Sequence, residues 1–412
     1  MDLDQFGKKV KNIMDNVRNA SKDVVRYINE DTYEILNMTN EFRCMDTLPQ
    51  IRTSVTHRAM QYHTTINRLL LDQNVYPIEL IKKVWEIVVG KIEQDPKPKI
   101  LKLTNPKEFA WEEGVEPEWD PVDINTITFP SGRTPFVFIH GAQYEELGLI
   151  KDDLHAFDFF KLFEKYAAWM FKDERNPPVD IYSVSYDTSI ADDKKKVLMD
   201  AFASAIGEEA TGESPFLFHG VLWDEMVRRA EVTGEYIKPF LEKLSGSGVT
   251  DAMAITHSLG CHVLAYAAHQ LRTNQSSLVA FQSWFCMAPT LPSNVFTSTG
   301  KFRYAPGIAS RHEREFGKTI IWHSKFDSIL TSLYFLANNG CLAMGQTGAG
   351  QSHELSYDLD VTETVDVYHG GAKYFELLNH YVQRILEGLS HPHPAADSFA
   401  VSNFAEGEGV ES

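Results

Sequence analysis

Apolar residues follow two different patterns along the chain. From Phe6 to about residue 92 they recur three or four positions apart, as in Ile78, Ile81, Val84 and Val88, which predicts a helical region. From about residue 98, short β-branched and aromatic runs predict strands instead. The predicted strands span residues 100–103, 124–129, 136–139, 179–185, 252–256, 278–285, 319–323 and 365–368.

Longer amphipathic segments follow many of these strands. They predict helices at residues 157–171, 223–244, 261–272 and 374–389. Strands that are apolar on both faces, each followed by a helix, predict an α/β fold: a mostly parallel central sheet with helices on both faces. We therefore expect a helical N-terminal region over 1–97 and the α/β domain over 98–390. The polar residues 391–412, which have no periodicity, predict a disordered tail.

Composition narrows the classes of partner. The chain has 412 residues and a formal net charge of −18, which disfavours binding to nucleic acid or to anionic lipid. No segment approaches the roughly 20 apolar residues that span a bilayer, and the first residues do not resemble a signal peptide, so we expect no stable membrane insertion and a cytoplasmic location. The four cysteines are too few and too scattered for a disulfide framework or a Cys-rich zinc site.

The segment around Ser258 carries the strongest chemical signal. An apolar strand runs into Thr256-His257-Ser258-Leu259-Gly260, and a helix-forming stretch follows at once. This is the context of a nucleophile elbow, in which a serine lies on a tight turn between a strand and a helix. Gly260 fits that motif, whereas Thr256 stands where a first glycine is usual. The alternative is a structural serine in an ordinary turn.

Two backbone N–H groups are needed to stabilise the oxyanion of acyl transfer. One comes from the residue after the nucleophile, here Leu259, and the other from the loop after an earlier strand. The predicted strand 136–139 ends in His140-Gly141-Ala142, so Ala142 is the candidate for the second donor. A His-Gly pair can also simply end a strand.

A serine nucleophile needs a base, and the base needs an acid that orients it. Asp327 follows the predicted strand 319–323, although an aspartate there can also cap a helix. His369 follows the predicted strand 365–368, and the next two residues are glycines that allow the loop to direct the imidazole over the sheet edge. The main rival is His380, which lies inside the predicted last helix; His323 and His312 are lesser ones.

The order Ser258, Asp327, His369 along an alternating β/α chain resembles the α/β-hydrolase superfamily, and specifically its serine esterase and lipase-like members. The resemblance covers about residues 98–390. It implies an α/β-hydrolase fold with Ser258 as the nucleophile, His369 as general base and then acid, and Asp327 as the orienting acid. It also implies that Ala142 and Leu259 form the oxyanion hole.

The resulting hypothesis is a serine hydrolase that cleaves a small-molecule ester, or a thioester or amide, through an acyl-enzyme. It requires no cofactor, and the sequence has none of the common metal-binding motifs. Two alternatives stay open: an acyltransferase, and a non-catalytic protein of the same fold that binds a partner. The N-terminal helices are the candidate surface for a protein partner.

Overall fold

A computed structural model of the chain describes residues 98–105, 117–142, 178–188, 215–309, 318–334, 338, 341–349 and 355–386. The predicted N-terminal helices, the predicted helix at 157–171 and the predicted C-terminal tail lie outside these residues. Among the described helices, none is long and apolar enough to cross a membrane. No cluster of metal-ligating side chains occurs in the same part of the chain.

Eight strands form one sheet in the order β2-β1-β4-β3-β5-β6-β7-β8. Strand β1 runs antiparallel to both of its neighbours, β2 and β4, whereas β3 to β8 run parallel to one another. The central strands β3 to β6 are buried along their whole length, which explains their continuous apolar runs. The strands are β1 Lys99–Leu103, β2 Trp119–Pro121, β3 Thr134–Ile139, β4 Val179–Ser185, β5 Met253–His257, β6 Ser283–Met287, β7 Thr319–His323 and β8 Ser356–Asp360.

The helices lie on both faces of this sheet. In parallel strands, residues in register point to the same face, so Tyr182 of β4, which is paired with Val137, points away from the face of Phe138. Tyr182 contacts Phe240 of α1, with 5.4 Å between ring centroids, and Phe138 stacks on Phe375 of α5 at 6.4 Å. The described helices are α1 Pro215–Gly246, α2 Leu259–Asn274, α3 Met344–Thr347, α4 Thr362–Val365 and α5 Gly371–Leu386, with a 3-10 helix at Ala305–Ala309 and a π-helical turn at Leu330–Tyr334.

The chain divides into two compact units. The larger one comprises Asp95–Ser189, Met226–Leu330 and Leu342–Ser412, and it contains the whole sheet. The smaller one comprises Met1–Gln94, Ile190–Glu225 and Thr331–Cys341. In its described part, the rings of Trp223 and Tyr334 pack edge to face with 5.5 Å between centroids.

The predicted fold class is confirmed: the protein has the α/β-hydrolase fold, with a mostly parallel sheet between helices. The predicted strand at 319–323 matches β7 in both bounds. The predicted strand at 278–285 begins too early, because regular pairing starts only at Ser283.

Two predicted strands are wrong. Residues 124–126 form a turn, and no strand covers 124–129. Asp123 organises the turn: its carboxylate accepts hydrogen bonds from the Asn125 N–H and the Thr126 hydroxyl. Such an aspartate offers the backbone an alternative to strand pairing, and this outweighs the β-branched character of the run.

The predicted last strand at 365–368 is also wrong. The last strand is β8, and Val365 instead closes the short helix α4. The Asp360 carboxylate starts that helix by accepting hydrogen bonds from the N–H and the hydroxyl of Thr362. His369 therefore follows a helical turn rather than a strand.

Candidate active site

Ser258 lies on the sharp turn between β5 and α2. Its φ is 51° and its ψ is −120°, a conformation that non-glycine residues rarely adopt and that costs about 1–3 kcal/mol. Three backbone hydrogen bonds hold it: the Ser258 N–H donates to Met287 O, and the Ser258 carbonyl accepts from Cys261 N–H and Thr290 N–H. This strained turn, residues 256–260, is called the elbow below, and it places Ser258 at the carboxyl edge of the sheet.

Glycines allow the chain to approach this turn closely. A Cβ on Gly260 would lie 2.2 Å from the carbonyl oxygen of Ile139, at the end of β3. A Cβ on Gly141 would lie 2.6 Å from the Cβ of Ser258. Both distances are too short for any side chain, so glycine at these positions lets the loop after β3 lie directly against the elbow.

Thr256, the departure from the usual motif, fills a space inside the sheet layer. The Trp284 indole N–H donates to Thr256 Oγ1 at 2.8 Å, and the Thr256 hydroxyl in turn lies 3.1 Å from its acceptor, Phe285 O. Both side chains are fully buried. A threonine here therefore satisfies a buried indole that a glycine would leave without this acceptor.

His369 and Ser258 come together at the elbow. His369 Nε2 lies 2.8 Å from Ser258 Oγ, although 111 residues separate the two in the sequence. His369 lies just before α5, and its side chain is 11% exposed. The rival candidate, His380, lies within α5, in agreement with the helix predicted there. The imidazole beside Ser258 is that of His369.

Asp327 completes a linear chain of three side chains. Its Oδ2 lies 2.8 Å from His369 Nδ1, and the carboxylate is fully buried. A carboxylate can only accept, so Nδ1 carries the proton, and Nε2 of the neutral ring is left to accept the Ser258 hydroxyl proton. The other carboxylate oxygen of Asp327, Oδ1, accepts hydrogen bonds from the backbone N–H groups of Ile329 and Leu330. The two oxygens of Asp327 thus have different partners: Oδ1 contacts the backbone of a helical turn, and Oδ2 contacts the imidazole of His369.

The His369 loop is tied to the Asp327 loop by backbone acceptors. The Ser324 hydroxyl lies 2.5 Å from its acceptor, Asp366 O, and the Ser328 N–H donates to Val367 O at 3.1 Å. Asp366 has a φ of 56°, which turns the chain back toward the sheet. These contacts fix the position of the segment that leads into His369.

The loop after β3 is organised by His140, which the sequence indicated only as the end of a strand. Its Nδ1 lies 2.9 Å from Gly141 O, and its ring stacks on Tyr186 with 4.5 Å between centroids. The Tyr186 hydroxyl donates to His140 O at 2.9 Å. Burial raises the pKa of Tyr186, which keeps this hydroxyl protonated as a donor.

Gly141 O and the Ala142 N–H belong to one planar peptide and point in opposite directions. Fixing Gly141 O on His140 therefore also fixes the direction of the Ala142 N–H. Leu259 is the first residue of α2, so its N–H has no acceptor within the helix. Both candidate donors thus belong to segments that border Ser258.

Comparisons with known proteins find similarity among solved structures but not among protein families or curated proteins. Neither a scan against protein-family models nor a search of curated proteins finds a match. Among solved structures, the chain is similar to esterase B from Lactobacillus rhamnosis, inhibited by a tributyrin phosphonate. The identity is 11%, the match covers 79% of this chain and 98% of that one, and the TM-score is 0.31.

Two further solved structures are similar. A peroxisomal α/β-hydrolase from Saccharomyces cerevisiae has 9% identity, covers 78% of this chain and 99% of its own, and has a TM-score of 0.29. An HSL homologue from a metagenome library has 10% identity, covers 75% of this chain and 98% of its own, and has a TM-score of 0.25. At these identities and scores, the similarity carries no statement about activity.

Proposed function

We propose that this protein is a serine hydrolase that cleaves a small-molecule ester, or a thioester or amide, through an acyl-enzyme. The observation that carries the proposal is the continuous path from Ser258 Oγ through the His369 ring to the Asp327 carboxylate, with two contacts of 2.8 Å. Three side chains in this order and geometry are what nucleophilic acyl transfer requires.

The reaction follows from the protonation states of these groups. His369 Nε2 takes the proton of the Ser258 hydroxyl as Oγ attacks the carbonyl carbon, and the buried Asp327 carboxylate stabilises the imidazolium that forms. His369 then donates this proton to the leaving group, and the acyl group stays on Oγ. Water activated by the same ring releases the acid and restores Ser258.

Ala142 and Leu259 are the proposed oxyanion donors. Negative charge develops on the carbonyl oxygen in the tetrahedral intermediate, and fixed backbone N–H groups stabilise it without reorganising. Leu259 is the residue immediately after Ser258. The contact between His140 Nδ1 and Gly141 O orients the peptide that carries the Ala142 N–H. Loss of one such donor costs about 10²–10³ in kcat.

A fluorophosphonate probe tests this proposal. We expect one covalent adduct per chain, mapped to Ser258 by peptide mass spectrometry and absent from Ser258→Ala and His369→Ala. Ser298→Ala, which removes an exposed serine, is the matched control and should label like the wild type. An unlabelled but folded wild type would contradict the proposal and favour a binding protein of this fold.

Product analysis separates hydrolysis from acyl transfer to another acceptor. We expect the free acid as the product from a p-nitrophenyl ester in water, with little change on adding an alcohol or an amine. A product ester or amide formed in preference to the acid would identify an acyltransferase that uses the same three residues.

A further inference from the structure

His257 is the residue immediately before Ser258 and the last residue of β5. It is 8% exposed, and none of the steps above uses its ring. A buried histidine beside a candidate nucleophile needs an explanation, because it places a second imidazole within reach of the first. The ring centroids of His257 and His369 are 5.1 Å apart, with 50° between the planes.

The His257 ring contacts the backbone of His369. Its Nε2 lies 2.7 Å from the His369 carbonyl oxygen. A carbonyl oxygen only accepts, so Nε2 carries the proton and donates it to this bond. The bond thus joins the elbow to the loop of the candidate base, independently of the contact between Ser258 Oγ and His369 Nε2.

The same ring also borders two other parts of the site. A Cβ on Gly141 would lie 3.0 Å from His257 Nδ1, so the loop after β3 packs against this nitrogen. On another side, the His257 ring lies 6.1 Å from the ring of Tyr374, in the first turn of α5. The position of His257 is therefore fixed by packing as well as by its hydrogen bond.

Burial, and then the nearby His369 ring, lower the pKa of His257 to about 3. The ring is therefore neutral at physiological pH, with one N–H, and that N–H is used on His369 O. A neutral neighbour also avoids repulsion when His369 becomes an imidazolium. His257 can thus hold the base without opposing its protonation.

We propose that His257 is a positioning residue that holds the His369 backbone at the distance at which its ring reaches Ser258. The inference rests on the proposed function. Because His369 follows a helical turn rather than a strand and is itself followed by two glycines, its carbonyl needs an anchor on the rigid elbow, and His257 Nε2 provides one. A misplacement of about 1 Å can cost about 10² in rate.

Two amide substitutions separate this role from simple packing. In His257→Gln the amide nitrogen lies near the position of Nε2 and can reach His369 O, whereas in His257→Asn it lies near Nδ1 and cannot. Because misalignment acts on the chemical step, we expect His257→Asn to lower kcat on a p-nitrophenyl ester by about 10²-fold with KM within about twofold. His257→Gln should recover most of kcat.

His262→Asn is the matched control. His262 is also a buried histidine, it lies in α2, and its Nε2 contacts Glu231 Oε1 at 3.4 Å. We expect this variant to lose thermal stability comparably to His257→Asn while its kcat stays within about twofold of wild type. Each variant is compared at equal folded fraction, measured by near-UV circular dichroism.

Either of two kinetic results would overturn the inference: wild-type kcat in His257→Asn, or equal losses in the asparagine and glutamine variants. A measurement on the wild type covers the case in which the variants do not fold. Nitrogen NMR at neutral pH should find a neutral His257 ring protonated at Nε2, and protonation at Nδ1 would refute the bond. If the wild type neither hydrolyses esters nor labels at Ser258, the proposed function fails instead.

Discussion

The elbow around Ser258 and the loop that carries His369 are held in place in different ways. The elbow is local: a buried strand, one strained residue and a helix start within a few positions, and Gly260 allows the close approach to β3. The His369 loop depends on tethers from distant residues, namely Ser324, Ser328 and His257. A strained turn can be encoded in five residues, whereas a tethered loop needs the whole fold.

This contrast predicts the largest effect at Asp327, the residue proposed to orient the base. We expect Asp327→Asn to lower kcat by about 10⁴-fold with little change in KM, because an amide can donate to Nδ1 and so favour the wrong tautomer of His369. Steady-state hydrolysis of a p-nitrophenyl ester measures this. Asp180→Asn is the control: Asp180 is also buried, but it pairs with Arg133 at the amino end of β4. Equal losses in both variants would contradict the assignment.

Substitution at Thr256 in the elbow should lower the stability of the protein rather than the rate of the reaction. Thr256→Val keeps the shape but removes the acceptor of the Trp284 N–H, so we expect the free energy of unfolding to fall by about 1–3 kcal/mol. Urea denaturation gives this value. In Thr290→Val, the lost hydroxyl is equally buried but has no hydrogen-bond partner among the described residues, and stability should change little. The account of Thr256 fails if the two variants lose the same amount.

Acid should weaken the contact between the elbow and the His369 loop. The unfolded chain protonates His257 near pH 6.5, whereas the folded protein does so only near pH 3, so unfolding takes up a proton between these values. Stability therefore falls as the pH drops through this window, by at most about 1.4 kcal/mol per pH unit from this residue. His257→Gln should have a shallower dependence of unfolding free energy on pH. Parallel curves for variant and wild type would show that His257 does not titrate this way.

The smallest effect is expected at a single tether of the His369 loop. Ser324→Ala removes the hydroxyl that donates to Asp366 O. Such a hydrogen bond contributes about 1 kcal/mol, which corresponds to about fivefold in kcat if the bond acts only by aligning His369. Ser247→Ala is a matched control, since its hydroxyl donates to Leu244 O in the same manner. It should leave kcat unchanged, and an equal decrease would mean that the tether does not act on the site.

The same contrast decides what could be predicted from the sequence. The elbow is predictable because strand, turn and helix signals are all within a few residues of Ser258, and Asp327 lies in the short loop after the well-patterned strand β7. The sequence offers His369 as a candidate base, but the secondary structure before it could not be predicted. The edge strand β8 reads Ser-Tyr-Asp-Leu-Asp and lacks the continuous apolar run that predicts a buried strand. The apolar run at Val365 predicts a strand wrongly, because hydrophobicity does not reveal the local hydrogen bonds that the Asp360 carboxylate accepts from Thr362 at the start of α4.

The roles of Thr256, His140 and His257 could not be predicted for a related reason. Each depends on a partner distant in the sequence: Trp284 for Thr256, Tyr186 for His140 and the His369 carbonyl for His257. A single sequence shows the residue types but not these pairs. The departure at Thr256, which weakened the motif in the sequence, is explained once Trp284 is placed beside it.

The most direct test of the central claim is a crystal structure of the protein after reaction with an alkyl phosphonate, which mimics the tetrahedral intermediate. We expect phosphorus bonded to Ser258 Oγ, with one phosphonyl oxygen about 2.7–3.1 Å from both the Leu259 and the Ala142 nitrogens. His369 Nε2 should remain within hydrogen-bond distance of the adduct. Phosphorus on another residue, or on Ser258 with its oxygen turned away from both nitrogens, would contradict the account.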